Sequence, residues 1–392
     1  MTHSVILSAV RTPLASFQGG LASVKATDLG ACVIREALRR ASVAPSDVDE
    51  VLMGCVLAAG LGQNPARQAA IAAGIPDSVE SITVNRVCSS GLRAVMLADQ
   101  LIRAGDNRIV VAGGMESMTR APYLLPDARS GMRMGNSLAV DSMVHDGLWD
   151  IHSNQHMGAC AELCAEKYGF TREGQDEFAA ASYKKAQGAI ASGAFKAEIV
   201  PVEVPGRKGG SVTFDIDEEP GRADFEKMRG LRPSFKQGGT ITAANASSVS
   251  DGASALVLMS EDWADKAKIR PMARVVAHAS FAHEPVWFTT APVGAIKAVL
   301  DKAKLTIKDI DLFEINEAFS AVTMAAVREF GIDNSKVNIH GGAVALGHPI
   351  GASGARILTT LLYAMKAKKA KKGLATLCNG GGGATAIVVE SL

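Results

Sequence analysis

Ala41-Ser-Val-Ala-Pro-Ser-Asp-Val-Asp-Glu-Val-Leu-Met-Gly54 lies without a gap over Ala303-Lys-Leu-Thr-Ile-Lys-Asp-Ile-Asp-Leu-Phe-Glu-Ile-Asn316, an offset of 262. Ala41, Asp47 and Asp49 recur unchanged, and most apolar positions keep their class. Ser90-Gly-Leu-Arg93 returns as Ser353-Gly-Ala-Arg356 at an offset of 263. Two matches at nearly one offset make the chain a duplication of one supersecondary unit. A third match, Gly252-Ala-Ser-Ala-Leu-Val-Leu258 with Gly383-Ala-Thr-Ala-Ile-Val-Val389, falls at an offset of only 131. The last strand of the first half has therefore been displaced, and about 130 residues stand between Gly113-Gly114 and that strand.

Within the first half, Val5-Ile-Leu-Ser-Ala-Val10 is a nearly continuous apolar run, the mark of a strand covered on both faces. A helix pattern follows from Thr27, with Gly30, Ile34, Ala37, Leu38 and Ala41 on one stripe and Arg35, Glu36, Arg39 and Arg40 on the other. Val51–Gly54 and Ile109–Ala112 read as further strands. Strands alternating with helices predict a mostly parallel sheet covered by helices. The inserted segment has its own composition: methionines and arginines from Met115 to Met134, a helix pattern after Thr171, and a basic turn at 206–210. It reads as a loop domain draped over one face, carrying ligand contacts.

The bulk numbers narrow the function. A chain of 392 residues exceeds one ordinary core and predicts two or three domains. Lys plus Arg total 41 against 40 Asp plus Glu, so no field that would gather nucleic acid or an anionic membrane is expected. A small-molecule ligand fits better. The six cysteines are scattered; Cys160 and Cys164 share a helix face, but nothing nearby completes a zinc site. The N-terminus lacks a basic region followed by a long apolar one, and no apolar run reaches spanning length. The expectation is a cytoplasmic enzyme in a reducing compartment.

Four short stretches carry candidate chemistry. Asn85-Arg-Val-Cys88-Ser-Ser-Gly91 joins a β-branched run to a helix pattern, so Cys88 falls at a strand-to-helix turn. Unpaired N–H groups and the helix dipole there favour thiolate, which predicts a lowered pKa and a nucleophile; the alternative is a buried structural cysteine. The duplicate of that loop is Gly341-Gly-Ala-Val-Ala-Leu-Gly-His348-Pro-Ile-Gly-Ala-Ser-Gly354, which places His348 near the same edge, as a functional or a structural histidine. Leu374–Gly383 is a strand ending in Cys378 and four glycines, whose N–H groups could face an oxyanion or merely permit a turn. Asn316 ends the strand Glu314-Ile-Asn316 and could hold a water or a carbonyl, or cap a helix.

Taken together these motifs resemble the thiolases. The likeness runs from Val10-Arg-Thr-Pro13 through Gly62–Ala69, the Cys88 loop, Gly113-Gly-Met-Glu-Ser-Met118, Asn316-Glu-Ala-Phe319 and Gly347-His-Pro-Ile-Gly351 to Cys378-Asn-Gly-Gly-Gly382. The resemblance implies duplicated βαβαβαββ halves in a five-layer αβαβα arrangement. It implies an N-terminal half of residues 1–117 plus 250–270, a loop domain of 118–249 and a C-terminal half of 271–392. It further implies a reversible condensation of two acetyl-CoA to acetoacetyl-CoA, with Cys88 acylated after His348 takes its proton. Cys378 would be the carbon acid/base, Asn316 would hold an oxyanion-hole water with His348, and the Gly380 N–H would complete a second oxyanion hole. Leu148, His156, Met157, Ala243, Ser247, Ala318 and Phe319 match positions of the pantetheine channel, and Arg222 lies near where an arginine meets the adenosine phosphate. Phe288 stands where short-chain members often carry methionine, and His340 where asparagine is common. No metal or redox cofactor is implied, coenzyme A thioester being substrate, and dimers pairing into tetramers through segment 120–145 are expected. The rival readings are a longer-chain 3-ketoacyl-CoA thiolase, a decarboxylating ketosynthase of related fold, and a non-catalytic acyl-CoA binding protein.

Overall fold

The computed structural model describes residues 3–206 and 209–392, so part of the basic turn at 206–210 lies outside the described residues. The first half comprises β1 (Ser4–Arg11), α1 (Ala26–Ala41), β2 (Glu50–Gly54), α2 (Pro65–Ala72), β3 (Glu80–Val84), α3 (Ser90–Ala104) and β4 (Ile109–Ser117). The chain then leaves the sheet for helices α4 (Met157–Tyr168) and α5 (Arg172–Ser192) and returns as β5 (Ser250–Ser260). The second half follows as β6 (Ala273–Ala282), α6 (Ala291–Ala303), β7 (Leu312–Ile315), α7 (Ser320–Phe330), α8 (Ala343–Leu346), α9 (Ser353–Lys368), β8 (Lys372–Asn379) and β9 (Gly383–Ser391).

The duplication is visible in the pairings. In the first half the order is β3-β2-β4-β5-β1, with β2 parallel to both β3 and β4, and β5 antiparallel to β4 and to β1. In the second, β7-β8-β9-β6 repeats it: β7 is parallel to β8, and β9 is antiparallel to β8 and β6. Val337, in a parallel bridge to Phe313, stands where β3 stands in the first half. The halves join through a short antiparallel contact of β1 with β6 at Val5–Arg274 and Ile6–Ala273. Asp251 pairs with Ser117 and Met259 with Ile109, so the two ends of the long excursion are sheet neighbours. That is why the sequence match at offset 131 marks a displaced strand.

Successive strand residues face opposite layers. On β5, Ala255 and Val257 pack with Val33, Ala37 and Ala69 of α1 and α2. Leu256 and Leu258 turn instead to Leu92 and Val95 of α3 and to Ile357 and Leu361 of α9. On β9, Ile387 and Val389 face that same central helix pair, while Ala386 and Val388 pack with Ile296 and Val299 of α6 on the far side. The layers are therefore α1/α2, first sheet, α3/α9, second sheet, α6/α7. Strands buried on both faces need no polar alternation, which explains the continuous apolar runs.

The central helices meet at their first turns. A Cβ on Gly91 would stand 2.9 Å from the Ala355 nitrogen, and one on Gly354 would stand 2.3 Å from the Leu92 nitrogen. These contacts are reciprocal under the repeat, since 91 and 92 correspond to 354 and 355. A local two-fold axis passes between the N-terminal turns of α3 and α9. The loops feeding those turns carry Cys88 and His348.

Candidate active site

Cys88 follows Val87, whose φ of +47° puts a β-branched residue in the left-handed region. The turn is held by Ser90, whose hydroxyl donates to the Val87 carbonyl at 2.6 Å and accepts the Arg86 N–H at 2.8 Å. Ser89, fully buried, donates to Asn379 Oδ1 at 2.8 Å and so ties the Cys88 turn to the end of β8, next to Cys378. His348 lies between α8 and α9, and its N–H donates to the Ser248 carbonyl at 3.1 Å. Its Nδ1 is 2.6 Å from Ser353 Oγ, and its Nε2 is 3.5 Å from Asn316 Nδ2. Asn316 does not cap a helix: α7 begins at Ser320 after Phe319. Its N–H donates to Thr376, and its Oδ1 is buried with no hydrogen-bond partner.

Cys88 and His348 open onto one apolar cavity of about 330 Å³. Leu148, His156, Met157, Ser247, Phe288, Ala318 and Phe319 line it, together with Met118, Met143, Phe235 and Ile350. Cys378 lies in the wall behind, completely buried in a cluster with Met157, Phe288, Ala318 and Phe319. Gly380, in the turn after β8, directs its N–H at the Cys88 sulfur, as Cys88 does its own. His156 caps α4 by accepting the Gly158 N–H at 3.0 Å and stacks on Phe235 with centroids 4.7 Å apart. Ala243 is exposed and Arg222 is paired with Glu219 at 4.0 Å on the surface; neither lines the cavity. His340 lies elsewhere too, edge-on to Phe195.

Electrostatics correct one sequence expectation. Burial pushes the Cys88 thiol up to about 12, outweighing the Gly380 and Cys88 N–H groups that pull it down. Donors at a helix terminus do not offset the cost of removing a thiolate from water at this depth. Burial, with the Arg356 charge behind it, lowers His348 to about 3. Burial, then the neighbouring Cys88, raises Cys378 well above its usual range. Sulfur and imidazole are thus both neutral at rest.

Sequence reasoning missed Glu116. Fully buried, it accepts N–H groups from Val56 and Leu57 after β2 at 3.0 and 3.1 Å, and from Gly351 of the His348 loop at 2.8 Å. The available signal was a carboxylate inside the otherwise uncharged run Ile109–Ser117. No group of three or more metal-ligating side chains occurs among the described residues, the Cys160–Cys164 face included.

The comparisons with known proteins agree with this geometry. Thiolase, N-terminal domain matches residues 4–262, and Thiolase, C-terminal domain matches 269–391. The chain is 53% identical over 391 residues to acetyl-CoA acetyltransferase of Cupriavidus necator, covering 100% of both chains. It is 52% identical over 389 residues to acetyl-CoA acetyltransferase 2 of Arabidopsis thaliana, covering 99% of this chain and 96% of that protein. Among solved structures, Acat5 thiolase from Ascaris suum in complex with coenzyme A superposes with a TM-score of 0.95 at 46% identity, covering 100% of both chains. The Bacillus anthracis acetyl-CoA acetyltransferase gives a TM-score of 0.98 at 42% identity, covering 100% of this chain and 99% of that one. With both halves matched and relatives above half identity over the whole length, this chain is an acyltransferase that belongs to the thiolase family.

Proposed function

We propose that the enzyme catalyses the reversible condensation of two acetyl-CoA to acetoacetyl-CoA and CoA, by a ping-pong route through acetyl-Cys88. The observation that carries this reading is the meeting of Cys88 and His348 in one apolar cavity, with Cys378 in its wall and Asn316 on the imidazole. His348 takes the Cys88 proton through Nε2 and keeps it, the thiolate attacks the thioester carbonyl, and the departing CoA sulfur takes its proton from Cys378, which is left as thiolate. A second acetyl-CoA then enters. Cys378, as thiolate, removes a methyl proton, and the enolate oxygen is met by His348 and by a water on Asn316, whose buried Oδ1 has no other partner. The carbanion attacks acetyl-Cys88, and the new oxyanion faces the N–H groups of Gly380 and Cys88 that now point at the sulfur. On its collapse the C–S bond breaks and the Cys88 sulfur takes back the Nε2 proton.

Two sulfurs are needed because one cannot be acylated and basic at once. The route calls for no metal or redox cofactor, and two free thiols suit a reducing compartment such as the cytoplasm. No helix among the described residues is long and apolar enough to cross a membrane. A short-chain substrate fits the wall, where Phe288 and Phe319 stand edge to face with centroids 6.3 Å apart. Leu148, His156, Met157 and Ser247 take the pantetheine arm, with Ala243 and Arg222 further out along coenzyme A. Tyr123, Leu125, Met134 and Leu138, all exposed, form the contact through which dimers pair into tetramers.

Acetyl-CoA with a labelled acetyl group should give a burst of one CoA per chain and label on Cys88 by mass spectrometry. Thiolysis should favour acetoacetyl-CoA over an eight-carbon ketoacyl-CoA. No burst and no label would sink the covalent route; a preference for the longer substrate would replace the chain-length reading.

A further inference from the structure

We propose that Ser353 is a positioning residue that holds His348 in the tautomer protonated on Nδ1, leaving the Nε2 lone pair to take the Cys88 proton. This rests on the acyl-transfer reading of Cys88 and His348. Ser353 is the first residue of α9 and is 1% exposed. Its Oγ lies 2.9 Å from the Pro349 carbonyl oxygen, which can only accept; with the single hydroxyl proton on that contact, Oγ keeps its lone pairs free. Oγ then offers a lone pair to His348 Nδ1 at 2.6 Å, and that contact requires Nδ1–H. On the other side of the ring an N–H of Asn316 faces Nε2, where the lone pair then lies.

The duplication supplies an independent argument. Ser90 is the counterpart of Ser353, and its hydroxyl closes the Cys88 turn by donating to the Val87 carbonyl and accepting the Arg86 N–H. In each half the first serine of the central helix donates back to the preceding loop and spends its lone pair on the segment bearing the reactive side chain. In the second half that acceptor serves the imidazole itself. A hydroxyl partner also differs from a carboxylate, because it adds no negative charge that would stabilise the imidazolium. The step balances simply: the Cys88 S–H bond breaks, an N–H bond forms at Nε2, and the electron pair left on sulfur attacks the carbonyl carbon. Nδ1 keeps its proton on Ser353 throughout.

The test is nitrogen-15 NMR of protein labelled at histidine, with His348→Asn assigning the resonance, alongside single-turnover CoA release. The expected spectrum has His348 protonated at Nδ1 and bare at Nε2. Ser353→Ala should shift it toward a mixture of tautomers and slow the burst about tenfold or more, within the ~10²–10⁴ that general-base catalysis contributes. Ser353→Thr, which keeps the hydroxyl, should restore most of both. A wild-type His348 protonated at Nε2, or a Ser353→Ala protein with unchanged tautomer and burst, overturns the proposal. Because the wild-type spectrum needs no turnover, it is read independently of a folding defect in a variant. Absence of a wild-type burst would instead overturn the acyl-transfer reading beneath it.

Discussion

Cys88 and Cys378 are both buried thiols raised in pKa, yet they sit differently: Cys88 faces the cavity and two N–H groups, whereas Cys378 is packed among apolar side chains. Replacing the second should therefore separate the half-reactions. Cys378→Ser is expected to keep the burst of CoA release from acetyl-CoA while carbon–carbon bond formation falls by ~10² or more, the scale of a lost general base. Equal loss of both would contradict the assignment. Glu116 gives a second expectation at this scale. Burial raises its carboxyl from 4.5 to about 7 against three N–H donors, so between those values the folded state binds more protons than the unfolded state. Its contribution is greatest below about pH 4.5 and is lost as pH climbs to about 7, a decline of about 3 kcal/mol from this group. In Glu116→Gln, denaturation midpoints measured against pH should lack that decline.

The first turns of α3 and α9 form the element on which the site depends. Their mutual approach at Gly91 and Gly354 allows two loops from distant parts of the chain to present sulfur and imidazole to one cavity. Gly354→Ala drives a Cβ against the Leu92 backbone, which cannot swing aside as a side chain would. A loss of about 1–3 kcal/mol in stability is expected, as for other overpacked cores. The burst should slow as well, because separating the helices also separates Cys88 from His348. A destabilised variant with an unimpaired burst would show that the helix contact does not set the catalytic geometry.

At the scale of the whole molecule, the long excursion between β4 and β5 is tied back to the sheet by buried charge. Arg11 of β1 donates to Glu198 at 2.5 Å and to both Asp217 oxygens at 2.7 and 2.8 Å, and all three side chains are buried. Removing one partner strands a charge out of water, at a cost of about 3–5 kcal/mol. Asp217→Asn should lower the unfolding midpoint accordingly and make residues 198–249 the first cut in limited proteolysis. Met134, 99% exposed, bears on assembly: Met134→Glu is expected to shift tetramers to dimers in analytical ultracentrifugation without changing the burst. A dimeric wild-type protein would remove the assembly proposal.

The sequence by itself determined the repeat, the alternation of strands and helices, and the loops bearing Cys88, His348, Asn316 and Cys378, because backbone period and turn chemistry are local and survive duplication. It could not decide the protonation of Cys88, which depends on how completely distant segments exclude water from the sulfur. Nor could it reveal Ser353 behind the imidazole or Glu116 between two loops, although both were in plain view as letters. Hydrogen-bond partners 60 to 235 positions apart, such as Glu116 with Val56 and Gly351, are chosen by folding in three dimensions. Only the tertiary structure sets burial and partner together, and these two decide where a proton rests.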